Sequence, residues 1–473
     1  MAEIAIAAAL AVAGVGVLAP VHRRLPLPAV AAMAFPVGAV VYLFAVTVLV
    51  ALGRPVEPGV ALGLAVAGGV AGLVVALARR TVGRDLVVIF GVAVGAVAGL
   101  AWFLRTVHLT RLTIDSMRYL LASVDLRRPE GIEAVFRPDL LKRQLGLPAL
   151  HALSGLTDRR YMASIGPLFG VSGIGLLGWL VWARTRTWTL VRRVIVVGAV
   201  LAFMLSSNRL LFDFFYINTH IEIATLLMIA VGGMWLALVE DEPAWAIPAG
   251  LCLAGTILFR PEAPLVVAIV LVPLAASRAG PVARWWFAAP IVAVTGLWYG
   301  IVLWNHAIEG SEVSLTAPVF GNLLAIGAAA ALVVAGGHAR SASVARLAQT
   351  AMLPALAVAI VAFAFTDPSV LFDSIGATAI NVGKYGVWLL TWVVAVPLLA
   401  VALLIHRFRE SRVWTDSIMG FALLFFLLPY LRESAWRVGS GDSGNRILAH
   451  ILLVAVTFLV LAAVEGREDA PGG

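Results

Sequence analysis

Long apolar stretches alternate with short polar ones along the whole chain. The apolar stretches are 14–26 residues long, close to the roughly 17–25 residues that a helix needs to cross a bilayer core. The pattern predicts about fifteen transmembrane helices, of which the run at 194–207 and the pair within 246–277 are short enough to be half-helices. The predicted runs are 3–20, 27–52, 60–78, 85–104, 162–183, 194–207, 221–239, 246–259, 263–277, 287–304, 318–336, 347–365, 386–405, 417–431 and 446–464.

Composition excludes a soluble protein. Hydrophobic residues make up 62% of the 473 positions and charged residues only 13%, whereas soluble domains carry roughly a quarter charged residues. The single cysteine, Cys252, leaves no disulfide framework and no thiolate metal cluster within the chain. No P-loop or dinucleotide-binding fingerprint is evident. The predicted fold class is an all-α polytopic membrane protein with about 13–15 transmembrane helices.

The positions of the basic residues predict the orientation in the membrane. With the N-terminus outside, the short inner loops hold 17 Lys and Arg and the short outer loops hold 7, as the positive-inside rule requires. The inner face then holds 9 acids against its 17 bases, so it accounts for the entire net charge of +8. The acidic loop 240–242 is the weakest part of this assignment. The basic excess thus indicates membrane topology rather than nucleic-acid binding.

This orientation divides the chain into four parts. Residues 1–104 form N-terminal transmembrane helices, and 105–161 is a long loop outside the membrane. Residues 162–464 form the remaining transmembrane core, and 465–473 is a short cytoplasmic tail. The chain is therefore predicted to be a multi-pass protein of a bacterial plasma membrane, with its C-terminus inside.

Polar and ionisable residues at membrane depth usually mark function or a satisfied structural pair, and here they gather on the predicted outer side. The inner loops look like plain charged connectors, so we expect the chemistry at the outer face. The outer residues are Asp115, Asn208, Arg209, Asp213, Asn218, Thr219, His220, Glu222, Arg260, Glu262, Asp367, Asp373, Lys384, Asp442, Asn445 and Arg446.

The loop 105–161 is the longest hydrophilic segment. Its start, 109–124, reads as a helix that places Asp115 one turn from Arg118 and Tyr119. Further on, apolar residues recur at helical spacing among basic residues that include Lys142 and Arg143. This pattern is typical of amphipathic helices lying in the membrane interface, where cationic residues hold anionic lipid or a lipid-linked phosphate.

Several of these motifs occur in the order of a known family. The run 113–119 with Asp115, followed by 140–148 and His151, resembles the first periplasmic loop of the GT-C superfamily of membrane glycosyltransferases. Residues 216–220 are similar to the family's Asn/His-started helix, 255–262 to its helix ending in Arg-x-Glu, and 445–450 to its late Arg-x-x-x-His helix. The resemblance spans roughly 85–464.

The resemblance implies an enzyme that moves a hexose or pentose from a polyprenyl-phosphate donor to an acceptor glycan, lipid or protein at the outer face. It implies Asp115 as the catalytic base, and a substrate- and phosphate-binding set. That set comprises Arg118, Tyr119, Lys142, Arg143, His220, Glu222, Arg260, Glu262, Lys384, Arg446 and His450.

Two features depart from the family pattern. Three extra helices precede the loop, and Asp115 stands alone where the family often has two adjacent acids. The residues therefore indicate no metal and no other cofactor, although the resemblance leaves a divalent cation open. The expected partners are a polyprenyl-phosphate-linked sugar, membrane lipids and an acceptor, with no nucleic acid.

Structural interpretations stand beside these roles. Asp115 could only pair with Arg111 or Arg118 on its own segment, Arg260 could be a snorkelling helix end, and His220 with Glu222 could be an interhelical polar pair. For the whole protein, the alternative is a transporter or flippase of a lipid-linked or small polar substrate. A third interpretation is a non-enzymatic assembly subunit.

Overall fold

The computed structural model describes residues 1–107, 109–128, 144–309, 316–338, 341–405 and 410–465. This part of the chain is 81% helix and has no strands. The interfacial helices predicted around 129–143, with Lys142 and Arg143, lie outside it. The chain is thus an all-helical polytopic membrane protein, as predicted.

The α-helices follow one another with short connections. In chain order they are α1 (Ala2–Leu18), α2 (Leu27–Ala51), α3 (Pro58–Ala78), α4 (Arg84–Val107), α5 (Ile114–Asp125), α6 (Gly146–Ala152), α7 (Ile165–Arg184), α8 (Leu190–Leu205), α9 (Asn208–Phe215), α10 (His220–Val239), α11 (Ala246–Thr256), α12 (Ala263–Ala276), α13 (Pro281–Glu309), α14 (Thr316–Ala335), α15 (Ala342–Thr366), α16 (Pro368–Ile380), α17 (Thr391–Ile405), α18 (Arg412–Leu431) and α19 (Ser443–Glu465).

Each predicted apolar run falls on one of these helices, but not all are long enough to span a bilayer. Within the described ranges, ten helices are long and apolar enough, or eleven if α8 and α9, which are bent by 72° at their junction, form one broken span. Helices α12 and α17 are apolar but shorter, whereas α14, with 20 residues, is as long as α10. Among the described residues the full-length spans are therefore fewer than the predicted 13–15, and the runs 246–259 and 263–277, predicted to be short, form short helices.

Helix α10 lies at the centre of the molecule. Its apolar window is completely buried, and it packs against α7, α11, α18 and α19. The N-terminal helices cross closely, because a Cβ on Gly14 would overlap the backbone of Ala34 and one on Gly38 would overlap that of Leu10. Small residues at such crossings are the usual means of close packing between membrane helices.

Loops predicted on the inner side contact one another. Glu240 pairs with Arg184 at 2.9 Å, and Glu242 lies 3.5 Å from Arg24. The acidic loop 240–242, the weakest part of the sequence-based orientation, thus contacts basic residues that were assigned to the same side. Nearby, the buried Arg284 donates to the carbonyl oxygens of α12 and α14 ends, including Ala275 and Val333, which places positive charge where helix dipoles are negative.

Segments predicted on the outer side also meet one another. The chain before α5 forms an isolated parallel bridge with the end of α9, in which Arg111 N–H donates to Phe215 at 2.7 Å. The backbone N–H of Arg209 donates to the carbonyl oxygen of Val387 at 3.0 Å, so the start of α9 is hydrogen-bonded to the chain before α17. These contacts assemble one polar region from segments far apart in sequence.

Candidate functional site

Asp115 is held at the first turn of α5 by a well-defined helix start. Thr113 and Ser116 form a reciprocal capping box, which satisfies two backbone donors that the helix itself leaves free. Ser116 Oγ also donates to the carbonyl of Ile217 at 3.2 Å. The sequence Thr-x-x-Ser therefore both starts the helix and fixes it to the segment between α9 and α10. A carboxylate in this first turn is favoured by the helix dipole.

The ion-pair partner of Asp115 comes from α19. Arg446 Nη1 donates to Asp115 Oδ2 at 2.8 Å and to Tyr216 Oη at 3.3 Å. Tyr216 Oη in turn lies 2.9 Å from Thr113 Oγ1. Arg446 is 13% exposed and Asp115 32% exposed, so the pair lies at a boundary between protein interior and surroundings. Three of the four motifs that carry the GT-C resemblance thus meet here.

A second cluster lies one helical turn further along α19. Arg260 Nη2 is 3.2 Å from His220 Nε2, and His220 Nδ1 is 2.9 Å from His450 Nε2. Glu262 approaches Arg260 only to 4.0 Å. Because Arg446 and His450 are four residues apart, α19 joins this cluster to the Asp115–Arg446 pair. The partners of His220 are therefore Arg260 and His450 rather than Glu222.

A buried ion pair supports both clusters. Arg209 and Asp213, four apart on α9, form a bidentate pair at 2.8 and 3.1 Å with side chains 4% and 1% exposed. Arg209 Nη1 also donates to the carbonyl of Ser440 at 2.8 Å. This pair was not among the predicted site residues, although two opposite charges four apart after a short apolar run are a usable signal.

The backbone before α17 is strained beside this pair. Val387 has φ 61° and Leu389 has φ 53°, in the left-handed region that residues with a Cβ rarely adopt, least of all a β-branched one. Asn445 holds this segment, because its side chain accepts from Trp388 Nε1 at 2.6 Å and donates to the Gly386 carbonyl at 3.2 Å. Such strain persists where surrounding contacts enforce it, often at functional sites.

These elements enclose a cavity of about 320 Å³, at the lower end of the range for small-molecule sites. Arg446 and Tyr216 form one wall, and the strained Val387 forms another. The tilted ring pair Phe212–Tyr216, with centroids 5.0 Å apart, adds an aromatic surface. The complete lining is Thr113, Asn208, Arg209, Phe212, Tyr216, Val387, Ser440, Gly441 and Arg446.

Arg432, which follows α18, adds positive charge to this region. Its pKa lies below that of a free guanidinium, mainly because of desolvation, and the charges of Arg260 and Arg446 lower it further. The carboxylates of Glu262 and Asp442 act in the opposite direction. Arg260, Arg432 and Arg446 thus lie close enough to influence one another. Such a region is suited to an anion.

The remaining predicted residues are placed as follows. Tyr119 is buried on α5, whereas Arg118 is exposed on the same helix. Lys384 is exposed, with Nζ 5.3 Å from the Tyr385 ring, and is not brought to either cluster. Glu222 is buried, and its Oε2 has no partner among the described residues. The predicted Lys142 and Arg143 lie in the part of the loop that the structure does not describe.

His151, which contributes to the family resemblance, has a structural position. It is buried, and its Nδ1 accepts from the backbone N–H of Met162 at 3.3 Å. Burial lowers its pKa to about 3, so the ring is neutral at physiological pH. It fixes the turn after α6 and lies apart from the charged clusters.

Comparison with family models, with curated proteins and with solved structures gives no match for this chain.

Proposed function

We propose that the protein is a membrane glycosyltransferase that moves a sugar from a polyprenyl-phosphate donor to a hydroxyl acceptor at the outer face. The observation that carries this proposal is that α19 joins the Asp115–Arg446 pair to the Arg260–His220–His450 cluster, whose members lie in segments far apart in sequence. A partly exposed carboxylate beside guanidinium groups supplies the two elements that the reaction needs, a base and a phosphate receptor. The resemblance to the GT-C superfamily supports the same assignment.

The residues support an inverting displacement. Asp115 takes the proton of the acceptor hydroxyl, and the resulting oxygen forms a bond to the anomeric carbon of the sugar. The bond between that carbon and the phosphate oxygen breaks, and the electron pair leaves with the phosphate. Arg446 and Arg260 stabilise the negative charge that develops on this leaving group, which a site shielded from bulk water strengthens. The polar cavity next to Arg446 has room for a monosaccharide.

An apolar groove offers a place for the lipid chain. A second cavity of about 230 Å³ lies between α8, α17 and α19. The polar cavity is lined by α9, which follows α8, by Val387 before α17 and by Arg446 near the start of α19. Val456 in the groove is ten residues beyond Arg446, or about 15 Å along the axis of α19. A phosphate on Arg446 could therefore place its chain between these helices.

The direct test is a transfer assay with the purified protein in lipid nanodiscs. Polyprenyl-phosphate sugars that differ in the sugar are incubated with a mixture of envelope glycan acceptors, and release of polyprenyl phosphate is measured by mass spectrometry. Release that depends on the acceptor supports the proposal. Failure of every donor to react, with the donor shown to bind, would count against transferase activity.

The groove predicts a dependence on chain length. We expect Ala199→Phe, which fills the groove with a bulky ring, to weaken binding of a long-chain polyprenyl phosphate by roughly tenfold and to leave a geranyl phosphate nearly unaffected. The reason is that only the longer chain buries several additional methylene groups, each of about 0.8 kcal/mol. Fluorescence competition in nanodiscs measures both affinities.

The matched control for the groove is Ala328→Phe. Ala328 is also an exposed alanine and lines a separate apolar cavity between α12, α14, α15 and α18. Equal loss of long-chain binding in both variants would mean that the α8–α17–α19 groove has no special role.

A transporter or flippase is the second candidate. The 72° bend between α8 and α9 favours it, because broken helices form the substrate sites of many transporters. The two functions separate in proteoliposomes: a flippase moves labelled lipid across the bilayer without cleaving it, whereas a transferase releases polyprenyl phosphate.

A further inference from the structure

The hydrogen-bond chain from Arg260 to His450 admits only one placement of its protons. A guanidinium has donors and no acceptor, so His220 Nε2, at 3.2 Å from Arg260, must accept. His220 is therefore neutral and carries its proton on Nδ1. This Nδ1–H donates to His450 Nε2, at 2.9 Å, so His450 is also neutral with its proton on Nδ1. Either a second proton or the opposite tautomer would place two donors face to face.

Among Arg209, Arg260 and Arg446, Arg260 has the longest ion pair. Arg209 is neutralised by a bidentate carboxylate at 2.8 Å, and Arg446 by a carboxylate at 2.8 Å. Arg260 instead has a neutral ring as its close partner, its nearest described carboxylate oxygen is 4.0 Å away, and its Nε has no hydrogen-bond partner among the described residues. Arg260 is thus positioned by a neutral ring, with only a loose ion pair to Glu262.

Because the two histidines are buried, a ligand can reach Arg260 only from the side away from them. His220 is 0% and His450 2% exposed, so no anion reaches the rings themselves, whereas the Arg260 side chain is 13% exposed. A ligand can therefore meet the guanidinium while the two rings hold it from behind. Arg432 lies close enough to Arg260 to feel its charge.

We propose that His220 and His450 are positioning residues, which aim Arg260 without neutralising it and so make Arg260 the principal receptor for a phosphate monoester. The identity of that monoester as the polyprenyl phosphate that leaves the donor rests on the proposed function. The positioning itself applies to any phosphate that enters the site.

The test compares two substitutions that differ by one methylene. In His220→Gln the side-chain carbonyl oxygen reaches the position of Nε2 and can still accept from Arg260, whereas in His220→Asn it falls short. Binding of geranyl phosphate to each protein in nanodiscs is measured by calorimetry. We expect His220→Gln to bind within about threefold of wild type, and His220→Asn and Arg260→Gln to bind at least roughly tenfold more weakly, because a hydrogen bond to a charged group is lost or misdirected. Equal affinities of the Gln and Asn variants would overturn the proposal.

A spectroscopic readout covers the case in which either variant fails to fold. Nitrogen-15 NMR of histidine-labelled wild-type protein should show two neutral rings protonated on Nδ1 from about pH 5 to pH 8, with a change at His220 Nε2 when geranyl phosphate binds. A cationic ring, or a ring protonated on Nε2 at either position, would contradict the assignment.

Inorganic phosphate distinguishes the two sources of the ligand. Tighter binding of geranyl phosphate than of inorganic phosphate supports a lipid-linked ligand. Equal affinities, both lost in Arg260→Gln, would support the Arg260 receptor and count against the lipid donor of the proposed function.

Discussion

Replacing Asp115 by Asn should lower the rate of sugar transfer by roughly 10²–10⁴-fold, the usual contribution of a general base. The amide keeps the shape of the carboxylate, and its oxygen can still accept from Arg446 across the present 2.8 Å contact. What it loses is the ability to take the proton of the acceptor hydroxyl. Single-turnover release of polyprenyl phosphate measures this step separately from product release.

Asp125→Asn is the control for Asp115→Asn. Asp125 is the last residue of α5. Its substitution removes one negative charge from the same helix, as Asp115→Asn does, and leaves the Asp115–Arg446 pair intact. We expect it to transfer sugar at the wild-type rate. Unchanged turnover in Asp115→Asn, with donor binding intact, would remove Asp115 from the mechanism.

The close contact between Asp115 and Arg446 sets a condition on the order of events. The carboxylate of Asp115 and the guanidinium of Arg446 form an ion pair at 2.8 Å. A paired carboxylate is a weaker base than a free one. A phosphate that binds Arg446 competes for its donors and so loosens the pair. Donor binding would then release the base only when a leaving group is in place, which limits reaction without donor.

The fold was largely accessible from the sequence because its signal is local. Each apolar run is continuous, and a bilayer allows few structures other than helices to satisfy the backbone. The division of loops between two sides is also local, and the pairing of Glu240 with Arg184 agrees with it. Helix ends were less accessible, because α11 ends at Thr256 within a run predicted to continue to residue 259, whereas α12 ends within one residue of its predicted bound.

The sequence identified most of the site residues but not the contacts between them. Asp115, Arg260, His220, Arg446 and His450 were all candidates, since ionisable groups at membrane depth are rare. Which of them touch depends on how helices pack, and the partners Asp115 and Arg446 are 331 positions apart. Local spacing suggested Arg118 as the ion-pair partner of Asp115, whereas the structure places Arg118 on the exposed side of α5.

The structural role of the Arg209–Asp213 pair could not be predicted for a related reason. Its importance comes from burial and from the segments that it joins, neither of which four-residue spacing reveals. Arg209 binds Asp213, the Ser440 carbonyl and, through its backbone, Val387. It thereby fixes the break between α8 and α9 to two of the segments that line the polar cavity.

Asp213→Leu should therefore destabilise the protein by about 3–5 kcal/mol, because it leaves the Arg209 guanidinium buried without its counter-charge. Unfolding in detergent by increasing denaturant, followed by tryptophan fluorescence, measures the change. The double variant Arg209→Met, Asp213→Leu should recover most of that loss, since replacing both members of a buried pair by apolar residues is often nearly neutral. The same double variant should still bind geranyl phosphate poorly, because the Ser440 segment has lost its anchor beside Arg446. Additive effects of the two single substitutions would show that the pair contributes no coupling and that the two residues act separately.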